Sequence, residues 1–254
     1  LGTAAEEAAC YACVPDINTQ RIPASGDSML SASLLTTIQT VFCLLVYGAA
    51  LGWGLLRIRW VELVADSRRQ HLLFGSIFAL SVLWLLRKEF DNGLTFHFLG
   101  MTVVTLMLDW PLALLAGLLA QLVLVVLGLD DLAALGANGM LRILVPVLIT
   151  VAMSRMLERF NPTNLFLYIF ISGFFAASLA AICTMLVGMG LLAWSGNLVA
   201  PNSLVELIGY MIMVMFPEGF INGMGVAALV VFHPEWVETF DADRYLQEPF
   251  DEEP

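Results

Sequence analysis

Between Leu94 and Leu129 the chain runs 36 residues with one charged side chain, Asp109. As a single helix this stretch would be about 54 Å long, against a hydrocarbon core of about 30 Å. It therefore has to fold back. Asp109-Trp110-Pro111 marks the corner, because proline disfavours helix at the residue before it. Two spans follow, near 94–108 and 111–129. The rest of the chain repeats the pattern. Apolar runs near 34–56, 71–86, 139–156, 164–193 and 205–232, charged only at Arg142, Arg155, Glu206 and Glu218, are separated by charged or Gly/Asn/Pro turns. The expectation is an all-α polytopic membrane protein of about seven transmembrane helices, lying in a lipid bilayer. The span at 164–193 exceeds a minimal crossing, so it must tilt, protrude or bend, with Gly188 and Gly190 as bend points.

Composition excludes the soluble alternatives. Hydrophobic residues make up 59% and charged residues 13%, where a soluble domain has roughly 45–50% and 25%. The formal charge is −11, so no basic surface is available for nucleic acid. That charge is unevenly placed. Residues 1–28 carry −3 and residues 233–254 carry −7, which leaves 29–232 at −1. The chain thus divides into a polar N-terminal segment (1–28), a membrane domain (29–232) and an acidic tail (233–254). Met29 stands just before the first apolar run, and we expect translation to begin there, leaving 1–28 non-native or disordered. An intact mass that includes Leu1–Ser28 would overturn this.

Basic residues set the orientation. Arg57, Arg59, Arg68, Arg69, Arg155, Arg159 and Arg244 fall on one side, while Arg21, Arg87, Lys88 and Arg142 fall on the other. The positive-inside rule puts the first group, with the acidic tail, in the cytoplasm and the N-terminus outside.

Ionisable groups at membrane depth are costly, so they are the first functional candidates. They are Asp109, Arg142, Glu206 and Glu218, with His97 near a helix start. Glu218 is the most interior and follows Pro217, which points to a brace at a broken helix. His97 is a candidate metal ligand or a satisfied polar residue. Cys10 and Cys13 form a CxxC that could be a disulfide, a metal clip or neither, whereas Cys43 and Cys183 read as core. The methionines share no evident face and read as core filling. Small residues such as Gly48 and Gly52 allow close helix approach, either within the bundle or to a second membrane subunit. There is no GxxxxGK[ST], HExxH or GxSxG pattern, so neither a phosphate loop nor an enzyme is expected.

Three pieces read together: "HFLG" at 97–100, "DWPLALLAGLLAQLVLVVLG" at 109–128 and "LAALGANGM" at 132–140. They resemble the cobalt/nickel-type energy-coupling-factor (ECF) transporter permeases, the CbiM-like substrate-binding subunits, over about 90–160. The resemblance implies a seven-helix subunit of a bacterial inner membrane with its N-terminus outside. It would capture a divalent metal, with Ni or Co ion as substrate and no permanently bound cofactor. It would work with a membrane coupling subunit and cytoplasmic ATPases. His97 matches a metal-ligating His of the family, and Asn138 matches an Asn that braces the site. The family's N-terminal Met-His-Ile-Pro-Asp-Gly is absent here. Cys10 and Cys13 could substitute for its ligands, or Glu218 and Asn138 could contribute. The alternative is a non-transporting assembly or scaffold protein that uses the same bundle and its acidic tail.

Overall fold

The computed structural model describes residues 34–85, 87–89, 95–160, 163–197 and 204–245. Helix α1 (Thr37–Arg57) begins at a capping box, in which the Thr36 hydroxyl accepts from the Gln39 backbone and the Gln39 side chain accepts from Thr36 N–H. A six-residue helix α2 (Trp60–Ala65) leads into α3 (Ser67–Leu85), and a short antiparallel pair, β1 (Arg87–Glu89) and β2 (Thr95–His97), follows. Then come α4 (Met101–Leu108) and α5 (Trp110–Val126). Helix α6 (Leu132–Phe160), α7 (Leu165–Ser195) and α8 (Leu204–Phe232) complete the bundle. A 3₁₀ turn (Pro234–Trp236) and a four-residue helix α9 (Ala242–Tyr245) end the described chain. Among the described residues, four helices are long and apolar enough to cross a membrane: α1, α6, α7 and the 207–232 part of α8.

The fold-back falls where the proline put it. Asp109 links α4 to α5 with φ 66 and ψ 160, a conformation that continues no helix. The span expected at 94–108 is different, however. Its first part is strand, and α4 has eight residues, about 12 Å. A helix of that length cannot cross about 30 Å of hydrocarbon. Three other expectations need correction. Helix α6 starts at Leu132 and not near 139. Helix α7 is irregular at a π-helical stretch, Ile169–Phe175, whereas Gly188 and Gly190 lie in regular helix. Helix α8 runs unbroken through Pro217.

Polar ties show which ends share a face. Gln39 donates to the Leu191 carbonyl (3.1 Å) and Asn197 to the Leu34 carbonyl (2.8 Å), joining the start of α1 to the end of α7. At the opposite end, Arg68 donates to the Glu235 carbonyl (3.1 Å) and Arg69 pairs with Glu238. The Glu238 carboxylate raises the already high pKa of that guanidinium. The turn after α1 and the segment after α8 therefore lie together.

The described part of that segment, through Tyr245, is not a free tail. Val237 and Phe240 are buried, and Tyr168, Phe240 and Tyr245 form an aromatic cluster with centroids 5.0–5.3 Å apart. Ala176, Ala177, Ala180 and Ala181 are buried on α7 and let the helices close in. Gly48 and Gly52 do the opposite, since a Cβ on either would meet nothing within 4 Å. They open away from the bundle and do not pack within it.

Candidate functional site

The N-terminus of α4 poses a problem that the sequence must solve. A helix start leaves four backbone N–H groups without partners, and hydrocarbon offers no water to satisfy them. Gly100, the residue before α4, is in the left-handed region (φ 66) and has no side chain to cap with. The cap comes from α8. Glu218 Oε2 accepts from Leu99 N–H (2.9 Å), and Glu218 Oε1 accepts from Gly100 N–H (2.8 Å). One turn on, Asn222 donates to Glu218 Oε1 (2.7 Å) and accepts from Val103 N–H (3.1 Å). Both side chains are buried, and a carboxylate suits the positive end of the α4 dipole.

Glycines make this approach possible. A Cβ on Gly219 would collide with the Ser178 hydroxyl, and one on Gly223 would crowd Phe174 (3.2 Å). Helix α8 thus lies backbone-close to α7, while Gly225 meets Val103 of α4. The stretch Phe216–Met224 is therefore a support built around Glu218 and Asn222 at i and i+4. Glu218 is midway along α8, so Leu99 and Gly100 are held at about mid-depth.

The same peptide is gripped from the other side. Trp84 Nε1 donates to the Leu99 carbonyl (3.0 Å). The Trp84 ring also carries the Arg142 guanidinium at 5.0 Å from its centroid. Arg142 lies in the π-helical stretch Met140–Leu144 and pairs with Asp130 (2.9 Å), both side chains being buried. Asn138 donates to the other oxygen of Asp130 (3.0 Å). Close by, Gly139 makes room for the Tyr47 ring, whose buried hydroxyl has no hydrogen-bond partner among the described residues.

The structure therefore brings several candidates to one region. Glu218 holds the Leu99–Gly100 peptide, and Trp84 links that peptide to Arg142, Asp130 and Asn138. His97 is on β2, opposite Arg87 in the register and two residues before Leu99. The His97 side chain lies outside what is described, as do Cys10, Cys13 and the Glu206 side chain. Among the described residues, no three His, Cys, Asp or Glu gather as a metal-binding group. Gly48 and Gly52 are remote in kind, because they face away from the bundle. Sequence reasoning missed Trp84, Asn222 and the Asp130–Arg142 pair as partners. The Glu218-x-x-x-Asn222 spacing was the available signal for Asn222, and an arginine at membrane depth, Arg142, was the signal for a buried acid.

The family model described as CbiM, cobalt uptake substrate-specific transmembrane region, matches residues 27–236. The chain belongs to the CbiM family. That match spans every support just described, from Trp84 to Asn222. Two solved structures share the fold of this CbiM-family chain, titled a transition metal transporter and a truncated transition metal transporter. Each aligns at TM-score 0.62 and 16% identity over 79% of this chain. The alignment covers 92% of the former and 97% of the latter. No curated protein matches the chain significantly. As a CbiM-family member, the chain is a membrane component of metal uptake.

Proposed function

We propose that the chain is the substrate-capture subunit of an ECF-type importer for a divalent transition metal of the cobalt/nickel kind. The observation that carries this is the family match across 27–236, which takes in the whole described bundle. The geometry supports a specific division of labour. His97 supplies an imidazole nitrogen to the metal, and the Leu99–Gly100 peptide behind it is fixed by Glu218, Asn222 and Trp84. A ligand two residues from such an anchor loses little freedom on binding. Asn138 and Asp130 support the neighbouring wall through Arg142.

The chain would face the cell exterior with the end that carries the start of α1. The opposite end, with its Arg59, Arg69 and Glu238 cluster, would face a coupling subunit and its ATPases in the bacterial inner membrane. Capture is outside, and release inside follows reorientation against the coupling subunit.

Metal uptake by cells and metal content of purified protein, loaded with Co²⁺ or Ni²⁺, test the reading in His97→Ala. Loss of both is expected. Unchanged binding and uptake would remove His97 from the site. Co-purification with an ATPase pair is expected of the intact complex, and a different stable partner would overturn the importer assignment.

A further inference from the structure

Because α4 is short and sunk between its neighbours, α3 and α8 leave an open groove above it, of about 580 Å³. Its α3 wall is a single stripe: Arg68, His71 and Leu72, Gly75 and Ser76, then Ala79. Val103 and Met107 of α4 form the floor, and Trp236 stands at the Arg68 end. Gly75 has nothing within 4 Å of where a Cβ would lie, so the small residues of the stripe open a trough.

We propose that this groove holds one acyl chain of an anionic phospholipid, with its phosphate at Arg68 and His71. Length is the first argument. From Arg68 to Ala79 the stripe runs about 16 Å, close to the ~15 Å of one leaflet and half of what a spanning helix needs. The occupant therefore enters from one face and ends near mid-depth, as a lipid tail does. Charge is the second argument. The basic groups are confined to one mouth, and the wall below them is apolar or small. The Arg68 guanidinium is half-exposed; its Nη1 donates to the Glu235 carbonyl and its Nη2 stands 3.8 Å from Asp66. Of the nearby acids, Glu235 pairs with His233 and Glu238 with Arg69, while Asp66 accepts from the Arg68 and Arg69 backbone through one oxygen and leaves only a long contact to the Arg68 guanidinium through the other. Trp236, stacked on His233 at 4.1 Å, adds the amphipathic ring found at headgroup depth.

The test is native mass spectrometry of the full chain in detergent, offered phosphatidylglycerol or phosphatidylcholine of the same acyl composition. The wild type should retain one phosphatidylglycerol about fivefold in preference to phosphatidylcholine, the size expected of one basic residue near the surface. Arg68→Gln should bring that preference close to one. Gly75→Leu with Ala79→Leu should lose the retained lipid of either kind, whereas Ala49→Leu, which adds bulk to an exposed position on α1, should keep it. Equal retention of the two lipids by the wild type would overturn the proposal, as would a filled groove that still holds phosphatidylglycerol. A second protein chain retained by the wild type and lost from the filled variant would also overturn it. If the filled variant does not fold, the Arg68→Gln comparison decides alone.

Discussion

Replacing Glu218 by Ala should be among the most damaging single changes in the membrane domain. It removes the acceptor from Leu99 N–H, from Gly100 N–H and from the Asn222 amide, all in buried surroundings. At about 1–2 kcal/mol for each donor left unpaired, the loss is about 3–6 kcal/mol. A chain of this size shifts its melting temperature by roughly 2–4 °C per kcal/mol, so a drop of about 6–24 °C is expected. Among the described residues Cys43 and Cys183 are free, and with Cys10 and Cys13 replaced by Ser they permit a direct assay in detergent. A thiol-reactive fluorophore reports their exposure as the protein is heated. Glu218→Gln separates charge from shape. It keeps one acceptor oxygen but turns an NH₂ group toward a backbone donor, so it should fall between wild type and Ala. A Glu218→Ala protein that melts within about 1 °C of wild type would refute the reasoning, because three buried donors cannot lose their partner without cost.

Asp130→Asn leaves Arg142 short of its buried counter-charge and should cost about 3–5 kcal/mol, with the double variant Asp130→Asn/Arg142→Met recovering part of the loss in the same melting assay. Gly136→Ala places a Cβ 2.6 Å from the Leu44 backbone and should destabilise by about 1–3 kcal/mol, whereas Gly48→Ala and Gly52→Ala, facing open space, should stay within about 0.5 kcal/mol. Truncation after Trp236 removes the bonds from Glu238 N–H and Thr239 to the Met107 and Leu106 carbonyls, and should lower the melting temperature by several degrees. An unchanged melt would show that these carbonyls do not need that segment.

The helical membrane architecture could be read from the sequence because long uncharged runs have few other solutions in lipid. The corner at Asp109 was legible for a local reason, a proline placed next to a charge. What precedes it was not. Residues 94–100 are as apolar as a span, and periodicity does not distinguish a helix from an extended segment clamped at mid-depth. The clamp depends on Trp84, Glu218 and Asn222, which are brought together only by tertiary packing. Glu218 was visible because an acid midway along an apolar helix is conspicuous. Its task was not visible, because its partners are backbone groups and leave no mark in residue identity. The seat of the segment after α8 was hidden for a related reason, since Val237, Thr239 and Phe240, which hold its described part, are chemically ordinary.

Helix α4 also sets an order of assembly. The N–H groups of its cap residue Gly100 and of Val103 are satisfied by residues 118 and 119 positions later, and the Leu106 carbonyl by one 133 positions later. At synthesis rates of about 5–20 residues per second, α4 waits about 6–25 s after emerging before its partners exist. During that interval it has no lipid-compatible state of its own, since its ends are unpaired and it is too short to span. Helices α1, α6, α7 and α8 are long enough to enter the membrane as they are made, but α4 can be seated only when α8 and the segment beyond it close over the bundle. The region next to His97 is thus the last part of the molecule to acquire its shape.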